Sequence, residues 1–228
     1  MVNLQNRSAQ KELLDAEDIP FADIKICMQE LNRVNTWLGG HKITLQGVKA
    51  LYSSEDHFHV CEIGCGGGDN LRAIQKRYST KPFRYTGIDM KKECVEYAAQ
   101  QYPDLPAKWI ANDYKKVMLP KKPDVIFSSL FCHHFTDVEL VSMLDWMRNN
   151  SEKGFFINDL QRSPIAYYLI KWITRIFSGS YLVQHDACIS VARSFTKKDW
   201  QVLLAQAGIA HYRIQWKWAF RYLIIFAK

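Results

Sequence analysis

The segment from His59 to Leu71, HVCEIGCGGGDNL, restricts the fold more than any other part of this chain. An apolar strand runs into a glycine-rich turn, and a polar helix start follows at Asp69. Glycine accepts positive φ and allows the backbone to approach a ligand closely. The segment therefore predicts a ligand-binding turn between a strand and a helix, with these glycines in it: Gly64, Gly66, Gly67 and Gly68.

The spacing of this turn differs from the dinucleotide-binding fingerprint G-x-G-x-x-G. Counted from Gly64, the sixth position is Asp69 instead of glycine. A carboxylate at a helix N-terminus would repel a pyrophosphate, whereas a cationic ligand would accept it. Glu62, at the end of a buried strand, suits the ammonium group of a ligand better than it suits packing. The alternative is a tight strand-to-helix turn that binds nothing.

From Ser54 onward, short apolar strands alternate with amphipathic helices. This alternation predicts a mostly parallel sheet with helices on both faces. We expect strands at 57–63, 83–89, 107–111, 125–129 and 154–158, and helices at 70–78, 91–101 and 137–148.

The C-terminal part changes pattern. Thr196 with Asp199 three residues later predicts a helix start with a capping box, and Gly208 predicts its end. The β-rich runs 211–216 and 220–227 predict an antiparallel hairpin at the sheet edge.

A length of 228 residues suits one decorated α/β domain. We expect an N-terminal helical cap or lid over residues 1–53 and a core over 54–228. Within that core we expect a helical insertion at about residues 160–195.

The net charge of +7 is scattered along the chain instead of being concentrated on one element. A nucleic-acid-binding surface would concentrate it, so we expect no nucleic-acid partner. The charge allows a weak peripheral attraction to anionic membranes. The longest apolar helix candidate, SPIAYYLIKWITRIF, contains Lys171 and Arg175 and is too short to span a bilayer.

The six cysteines form neither a C-x-x-C pair nor a cluster with histidine. Several lie in apolar runs, where free cysteine behaves as a small apolar residue. This usage favours a reducing compartment. The polar N-terminus has no apolar signal region, so we expect a cytoplasmic protein, as a monomer or a homodimer.

Three stretches in the order and spacing seen here resemble class I S-adenosylmethionine (SAM)-dependent methyltransferases over residues 57–160. Glu62 to Gly68 reads E-x-G-x-G-x-G and is similar to the first motif of that family. YTGIDM places Asp89 after the second strand, where an acid suits both ribose hydroxyls. WIANDYKK places Asp113 after the third strand, where the family has an acid that contacts the adenine amino group.

The resemblance implies a Rossmann-like methyltransferase sheet that binds SAM and releases S-adenosylhomocysteine (SAH). Ile88, Met90 and Tyr114 would flank the adenine ring. The implied cofactor-binding residues are Glu62, Gly64, Cys65, Gly66, Gly68, Asp89, Met90, Asn112, Asp113, Tyr114 and Ser129.

The fourth predicted strand ends in SSLFCHHF. Family members that methylate amino groups of DNA bases, and of some RNAs and proteins, commonly have an Asn/Asp-Pro-Pro-aromatic motif there, so the departure favours a small-molecule acceptor. His133 and His134 either act as an acid or base or line the cofactor pocket. A phenol would suit such a base, because its pKa of ~10 lies a few units above that of imidazole. Two histidines without a third ligand predict no metal site.

The leader KELLDAEDIPFADIKICMQELNRVNTWLGGHK resembles that of bacterial methyltransferases associated with type III polyketide synthases, and more loosely the ubiquinone and menaquinone type. This similarity implies a phenolic, quinone-like or alkyl-chain polyketide acceptor, methylated at oxygen or carbon. Asn35 and His41 would lie on a lid over the cofactor or cap helix ends.

The stretch after the fifth strand supplies the other candidate acceptor residues. Asp159 and Arg162 either orient the acceptor or cap a helix, and Tyr168 and Trp172 either line an acceptor channel or pack in the core. The sequence thus predicts a small-molecule methyltransferase. The alternatives are an RNA or protein methyltransferase and a non-catalytic SAM-binding domain.

Overall fold

The computed structural model describes residues 2–16, 18–53 and 57–228; Ser54, where the predicted core begins, lies outside them. A seven-stranded sheet has the order β3-β2-β1-β4-β5-β7-β6. Neighbours among β1 to β5 are parallel, and β7 is antiparallel to both β5 and β6. The strands are β1 (Phe58–Ile63), β2 (Phe83–Asp89), β3 (Ala107–Ala111), β4 (Val125–Ser129), β5 (Gly154–Leu160), β6 (Arg213–Lys217) and β7 (Arg221–Ala227).

The helices follow the predicted alternation, and the predicted fold class is confirmed. Thr196 and Asp199 form the expected capping box at the start of the last helix. β5 continues two residues beyond the prediction because Leu160 still pairs with Arg221. The helices are α1 (Phe21–Trp37), α2 (Gly40–Leu51), α3 (Asp69–Arg77), α4 (Lys92–Gln101), α5 (Asp137–Asn150), α6 (Pro164–Phe177), α7 (Tyr181–Arg193) and α8 (Lys197–Gln206).

Apolar clusters cover both faces of the sheet. On one face, Leu144 of α5 and Trp200 of α8 are buried against the strands. On the other, Val48 of α2 and Ile74 of α3 are buried in the second cluster. Burial on both faces explains why the parallel strands are continuous apolar runs.

The carboxyl ends of the five parallel strands meet at one edge of the sheet. β1 lies between β2 and β4, so the chain order reverses there, which is where open α/β sheets bind ligands. α7 contacts α6, α1 and the short 3-10 turn Leu13–Asp15, which places helical cover near this edge. Within the described residues, every helix is too short or too polar to cross a membrane.

Candidate functional site

The glycine turn after β1 depends on conformations and space that a side chain would remove. Gly64 has φ 68° and Gly68 has φ 77°. A Cβ on Gly64 would lie 2.3 Å from the ring of Phe131, and one on Gly68 would lie 2.4 Å from the ring of Trp109. The turn therefore requires glycine at both positions.

The carboxylate of Asp89 braces this turn from the end of β2. Its Oδ2 accepts a hydrogen bond from the amide of Gly66 at 2.9 Å, and its Oδ1 accepts from the amide of Lys91 at 3.0 Å. Burial raises the pKa of Asp89, although both amide donors oppose that rise. The carbonyl of Asp89 also accepts from the amide of Asn112 at 2.9 Å, which ties the end of β3 to the same edge.

A pocket of about 180 Å³ opens beside this carboxylate. It brings together six residues predicted to bind the cofactor, together with Ile88. Four residues that were not predicted complete the wall: Lys115, Phe131, Phe135 and Glu139. The two phenylalanines flank the histidine pair in sequence, which is the signal that could have identified them. The predicted residues in the wall are Gly64, Asp89, Met90, Asn112, Asp113 and Tyr114.

Glu62 is buried at the end of β1 and carries an unsatisfied oxygen. Its Oε1 accepts a hydrogen bond from Nδ2 of Asn70 at 2.8 Å. Its Oε2 has no hydrogen-bond partner among the described residues. Burial raises the pKa of Glu62 well above its ordinary value, and the Asn70 amide only partly offsets that effect. A buried carboxylate in this state favours a cationic ligand group.

His41 of α2 links this carboxylate to α1 instead of capping a helix by itself. Its Nδ1 lies 3.0 Å from Oδ1 of Asn70, and its Nε2 lies 2.9 Å from Oδ1 of Asn32. Because Asn70 donates its amide hydrogen to Glu62, its Oδ1 is free to accept. The structure thus places His41 in a polar chain that ends at Glu62.

Among the described residues, five predicted cofactor residues lie outside the pocket wall: Glu62, Cys65, Gly66, Gly68 and Ser129. The thiol of Cys65 is buried, and burial raises its pKa well above the ordinary value. The hydroxyl of Ser129 accepts a hydrogen bond from Nδ2 of Asn158 at 3.1 Å. Asn158 also donates to the carbonyl of Gly40 at 3.3 Å, so this contact faces α2.

Asp159 is buried on β5 and is not at the mouth of an acceptor channel. Its Oδ1 accepts from Nδ1 of His133 at 2.8 Å, and its Oδ2 accepts from the amide of Cys132 at 2.7 Å. Burial alone would raise the pKa of Asp159, but His133, the amide of Leu160 and His134 together outweigh burial and hold the pKa below its usual range. The residue orients the turn after β4, in place of the predicted acceptor contact or helix cap.

The histidine pair meets a glutamate that the sequence did not single out. His133 is buried, whereas the side chain of His134 is 21% exposed. Oε1 of Glu12 lies 3.6 Å from Nε2 of His133, and Oε2 lies 3.9 Å from Nε2 of His134. Burial raises the pKa of Glu12 to about 7. Nε2 of each ring therefore faces Glu12.

The segment that carries Glu12 is fastened over the end of β4. The amides of Leu13 and Leu14 donate to the carboxylate of Asp186 on α7 at 2.8 and 2.9 Å. Arg193, at the end of α7, pairs with Asp15 at 2.6 Å and donates to the carbonyl of His133 at 2.9 Å. We call residues 12–15 the N-terminal strap.

Arg162 is buried away from the pocket. Its guanidinium donates to the carbonyls of Leu4 at 3.0 Å and Ser194 at 2.6 Å, and it pairs with Asp199 at 2.9 Å. These contacts anchor the N-terminal segment, so neither predicted role, acceptor contact or helix cap, describes what the side chain touches.

Asn35 lies beside a buried arginine from β7. Its Oδ1 accepts a hydrogen bond from Nη2 of Arg221 at 2.8 Å. Burial lowers the pKa of Arg221 to about 10. The polar contact of Asn35 is therefore with the start of β7 and not with the pocket wall.

Tyr168 and Trp172 are exposed on α6, at 44% and 65% of their surface. The alternative that they pack in the core is therefore wrong. They belong to an outward apolar face that also includes Ile165, Leu169 and Ile176. Neither residue lies in the pocket wall.

Comparisons with known proteins agree with this fold. Residues 60–154 match the family described as "Methyltransferase domain". No curated protein matches the chain.

Solved structures with the same fold include the plantazolicin methyltransferase BpumL in complex with SAH. It is 20% identical over 85% of this chain and 74% of that chain, with a TM-score of 0.66. BpumL in complex with a monoazolic desmethylPZN analog and SAH is 21% identical over 86% of this chain and 76% of that chain, with a TM-score of 0.65. A SAM-dependent methyltransferase from Aquifex aeolicus is 17% identical over 81% of this chain and 88% of that chain, with a TM-score of 0.59.

Proposed function

We propose that this chain, which carries a class I SAM-dependent methyltransferase domain, transfers the methyl group of SAM to a small aromatic, quinone-like or lipid-like acceptor. The pocket at the ends of β1 to β4 would hold the cofactor, and the acceptor would reach the same edge of the sheet. SAM supplies a sulfonium methyl group, which a nucleophile displaces in line. The protein mainly has to align donor and acceptor and keep water out.

The residues of the pocket, together with Glu62 near the end of β1, fit SAM. The unpartnered Oε2 of Glu62 suits the ammonium group of the methionine part. The carboxylate of Asp89 suits the two ribose hydroxyls, because each of its oxygens keeps a lone pair beyond the amide it accepts. Asp113 and Tyr114, in the same wall, suit the adenine end.

The strap over the end of β4 is the observation that carries the small-acceptor proposal. Asp186 and Arg193 hold the strap beside the turn that contains His133. A folded protein or an RNA stem would need this edge open, whereas a small molecule can enter beside the strap. The basic residues are scattered along the sequence instead of being concentrated on one element, which favours a small molecule over an RNA.

Aromatic rings near the histidine pair support a flat or apolar acceptor. Phe131 and Phe135 pack edge to face, with their ring centroids 4.8 Å apart, in the pocket wall. Because Nε2 of each histidine faces Glu12, we assign His133 and His134 a positioning role and not that of a base. Methylation at oxygen or at an activated ring carbon then depends chiefly on alignment.

Label partitioning tests this proposal. The purified chain is incubated with methyl-labelled SAM in three separate reactions. One contains solvent-extracted small molecules, one total RNA and one total protein, all from bacteria. We expect label in the small-molecule fraction and, at a SAM concentration near the wild-type Kd, several-fold less label with Asp89→Ala. Label in RNA or protein instead would support the corresponding alternative, and SAH binding without transfer to any fraction would support the non-catalytic one.

A further inference from the structure

Three side chains from two distant parts of the sequence converge beside the pocket. Glu12 comes from the N-terminal strap, and His133 and His134 come from the turn after β4. One oxygen of Glu12 and one nitrogen of each histidine all lie within 4.8 Å of one another. The cluster is largely buried, so water does not readily neutralise its charges.

Hydrogen bonds define which nitrogen of each histidine is available. Nδ1 of His133 lies 2.8 Å from Asp159, and Nδ1 of His134 lies 2.7 Å from Asp15. An ionised carboxylate only accepts, so each Nδ1 carries the hydrogen. In the neutral ring this leaves the lone pair on Nε2, which faces Glu12. A carboxylate behind the imidazole is the usual second partner of a histidine that binds a metal.

One oxygen of the glutamate between the rings lacks a hydrogen-bond donor. Oε1 of Glu12 is buried and has no hydrogen-bond partner among the described residues. Nε2 of His133 lies nearest this oxygen and Nε2 of His134 lies nearest Oε2, so two imidazole lone pairs face the carboxylate. Lone pairs in such an arrangement repel unless a proton or a metal cation lies between them, and a buried polar group without a partner is costly.

We propose that Glu12, His133 and His134 bind a divalent transition-metal ion of the zinc type. Two imidazole nitrogens and one carboxylate oxygen are a donor set that zinc takes, and a fourth position remains for water or another ligand. Ligand atoms around a tetrahedral zinc ion are roughly 3.3–3.5 Å apart, given bonds of about 2.0–2.2 Å. The nearest approaches, 3.6 Å from Oε1 to His133 and 3.9 Å from Oε2 to His134, use different oxygens, and one oxygen with both nitrogens lies within 4.8 Å. Binding would therefore draw the three ligands together by about 1–1.5 Å.

This site changes the expectation of no metal drawn from the sequence. The third ligand, Glu12, follows no spacing that links it to the histidines, because the strap reaches them only in the folded chain. A bound ion would join the strap to the turn after β4 and so stabilise the cover beside the pocket. The partly exposed ring of His134 gives the ion a path from solvent.

Metal titration of the full chain tests the proposal. The protein is stripped with a chelator, dialysed, and titrated with zinc sulfate in a calorimeter. We expect one zinc ion per chain, and at least tenfold weaker binding in Glu12→Gln and in His134→Gln. His211→Gln and Glu96→Gln are matched controls, because both residues are exposed and distant in sequence from the ligands, and they should keep the wild-type affinity.

Cobalt provides a second readout that does not depend on heat signals. Co²⁺ in a site of nitrogen and oxygen ligands gives visible absorption bands, which we expect in the wild type and not in Glu12→Gln. Circular dichroism verifies that each variant is folded. Because Glu12→Gln could also loosen the strap, His134→Gln, which changes a partly exposed ring, serves as the second ligand variant. The proposal would be overturned if the wild type bound no stoichiometric zinc, or if Glu12→Gln and His134→Gln both bound zinc as tightly as the wild type.

Discussion

Asp159 on β5 accepts the Nδ1 hydrogen of His133 at 2.8 Å, with both side chains buried. The same carboxylate accepts the amide of Cys132 at 2.7 Å. One buried charge therefore sets both the backbone and the ring of the turn after β4. The orientation of the histidine pair toward Glu12 depends on this contact.

Asp159→Ala should destabilise the protein substantially. It leaves the amide of Cys132 and the ring of His133 without their buried acceptor, and breaking such a pair costs about 3–5 kcal/mol. Each kcal/mol lowers the melting temperature of a chain of this size by about 2–4 °C. Urea unfolding measures the loss. Asp145→Ala, at a half-exposed residue on α5, is the control and should stay within about 0.5 kcal/mol of wild type. Equal effects in the two variants would contradict the assigned role.

Relative to the wild type, Glu62→Gln should become more stable as the pH rises, because the wild type loses the stability that protonated Glu62 contributes. Burial raises the pKa of Glu62 well above 4.5, so the folded form keeps a proton that the unfolded chain has lost. The stability that Glu62 contributes is therefore full below about pH 4.5 and declines as the pH rises toward the folded-state pKa. Over that interval the variant gains on the wild type by up to about 1.4 kcal/mol per pH unit.

The same variant should bind SAH more weakly. In the proposed site the ammonium group of SAH would pair with ionised Glu62. The affinity of the wild type should then rise with pH over the same interval, while that of Glu62→Gln should stay low and flat. Melting curves and calorimetric titrations across the pH range measure both effects. Glu96→Gln, at an exposed glutamate, should match the wild type in each. A pH-independent stability difference would show that Glu62 does not titrate as described.

Changing the outward face of α6 should affect acceptor use more than stability. Tyr168→Ala and Trp172→Ala remove exposed side chains, so each should alter the unfolding free energy by no more than about 0.5 kcal/mol. If α6 contributes to acceptor capture, the KM for an apolar acceptor rises while SAH affinity is unchanged. Trp200→Ala, at a fully buried residue, should cost about 3–5 kcal/mol by comparison. An unchanged KM would exclude Tyr168 and Trp172 from acceptor binding.

Local patterns predicted the sheet well. The bounds of β2, β3 and β4 agree with the predicted segments, because short buried strands are delimited by the turn residues around them. The capping box of Thr196 with Asp199 was equally readable, since its contacts lie within four residues. Asp89 could be placed because the end of a parallel strand is defined by the strand itself.

Long-range side-chain contacts could not be read in this way. Glu12 meets His133 and His134 only because the strap folds back over β4. Asp159 follows an apolar run, which is equally compatible with a pocket mouth and with a buried partner for a histidine. The aromatic spacing on α6 predicted a helix with an apolar face, but spacing alone does not show whether that face is covered.

Binding of SAH to wild type and to Asp89→Ala tests the central claim most directly. Calorimetric titration should give one SAH per wild-type chain and at least tenfold weaker binding in Asp89→Ala, since each lost charge-assisted hydrogen bond is worth roughly 1.5–3 kcal/mol. Asp104→Ala, at an exposed aspartate paired with Arg72, should bind like the wild type. Equal affinity in Asp89→Ala would contradict the cofactor site, and binding of NAD without SAH would contradict the assignment of the pocket to SAM.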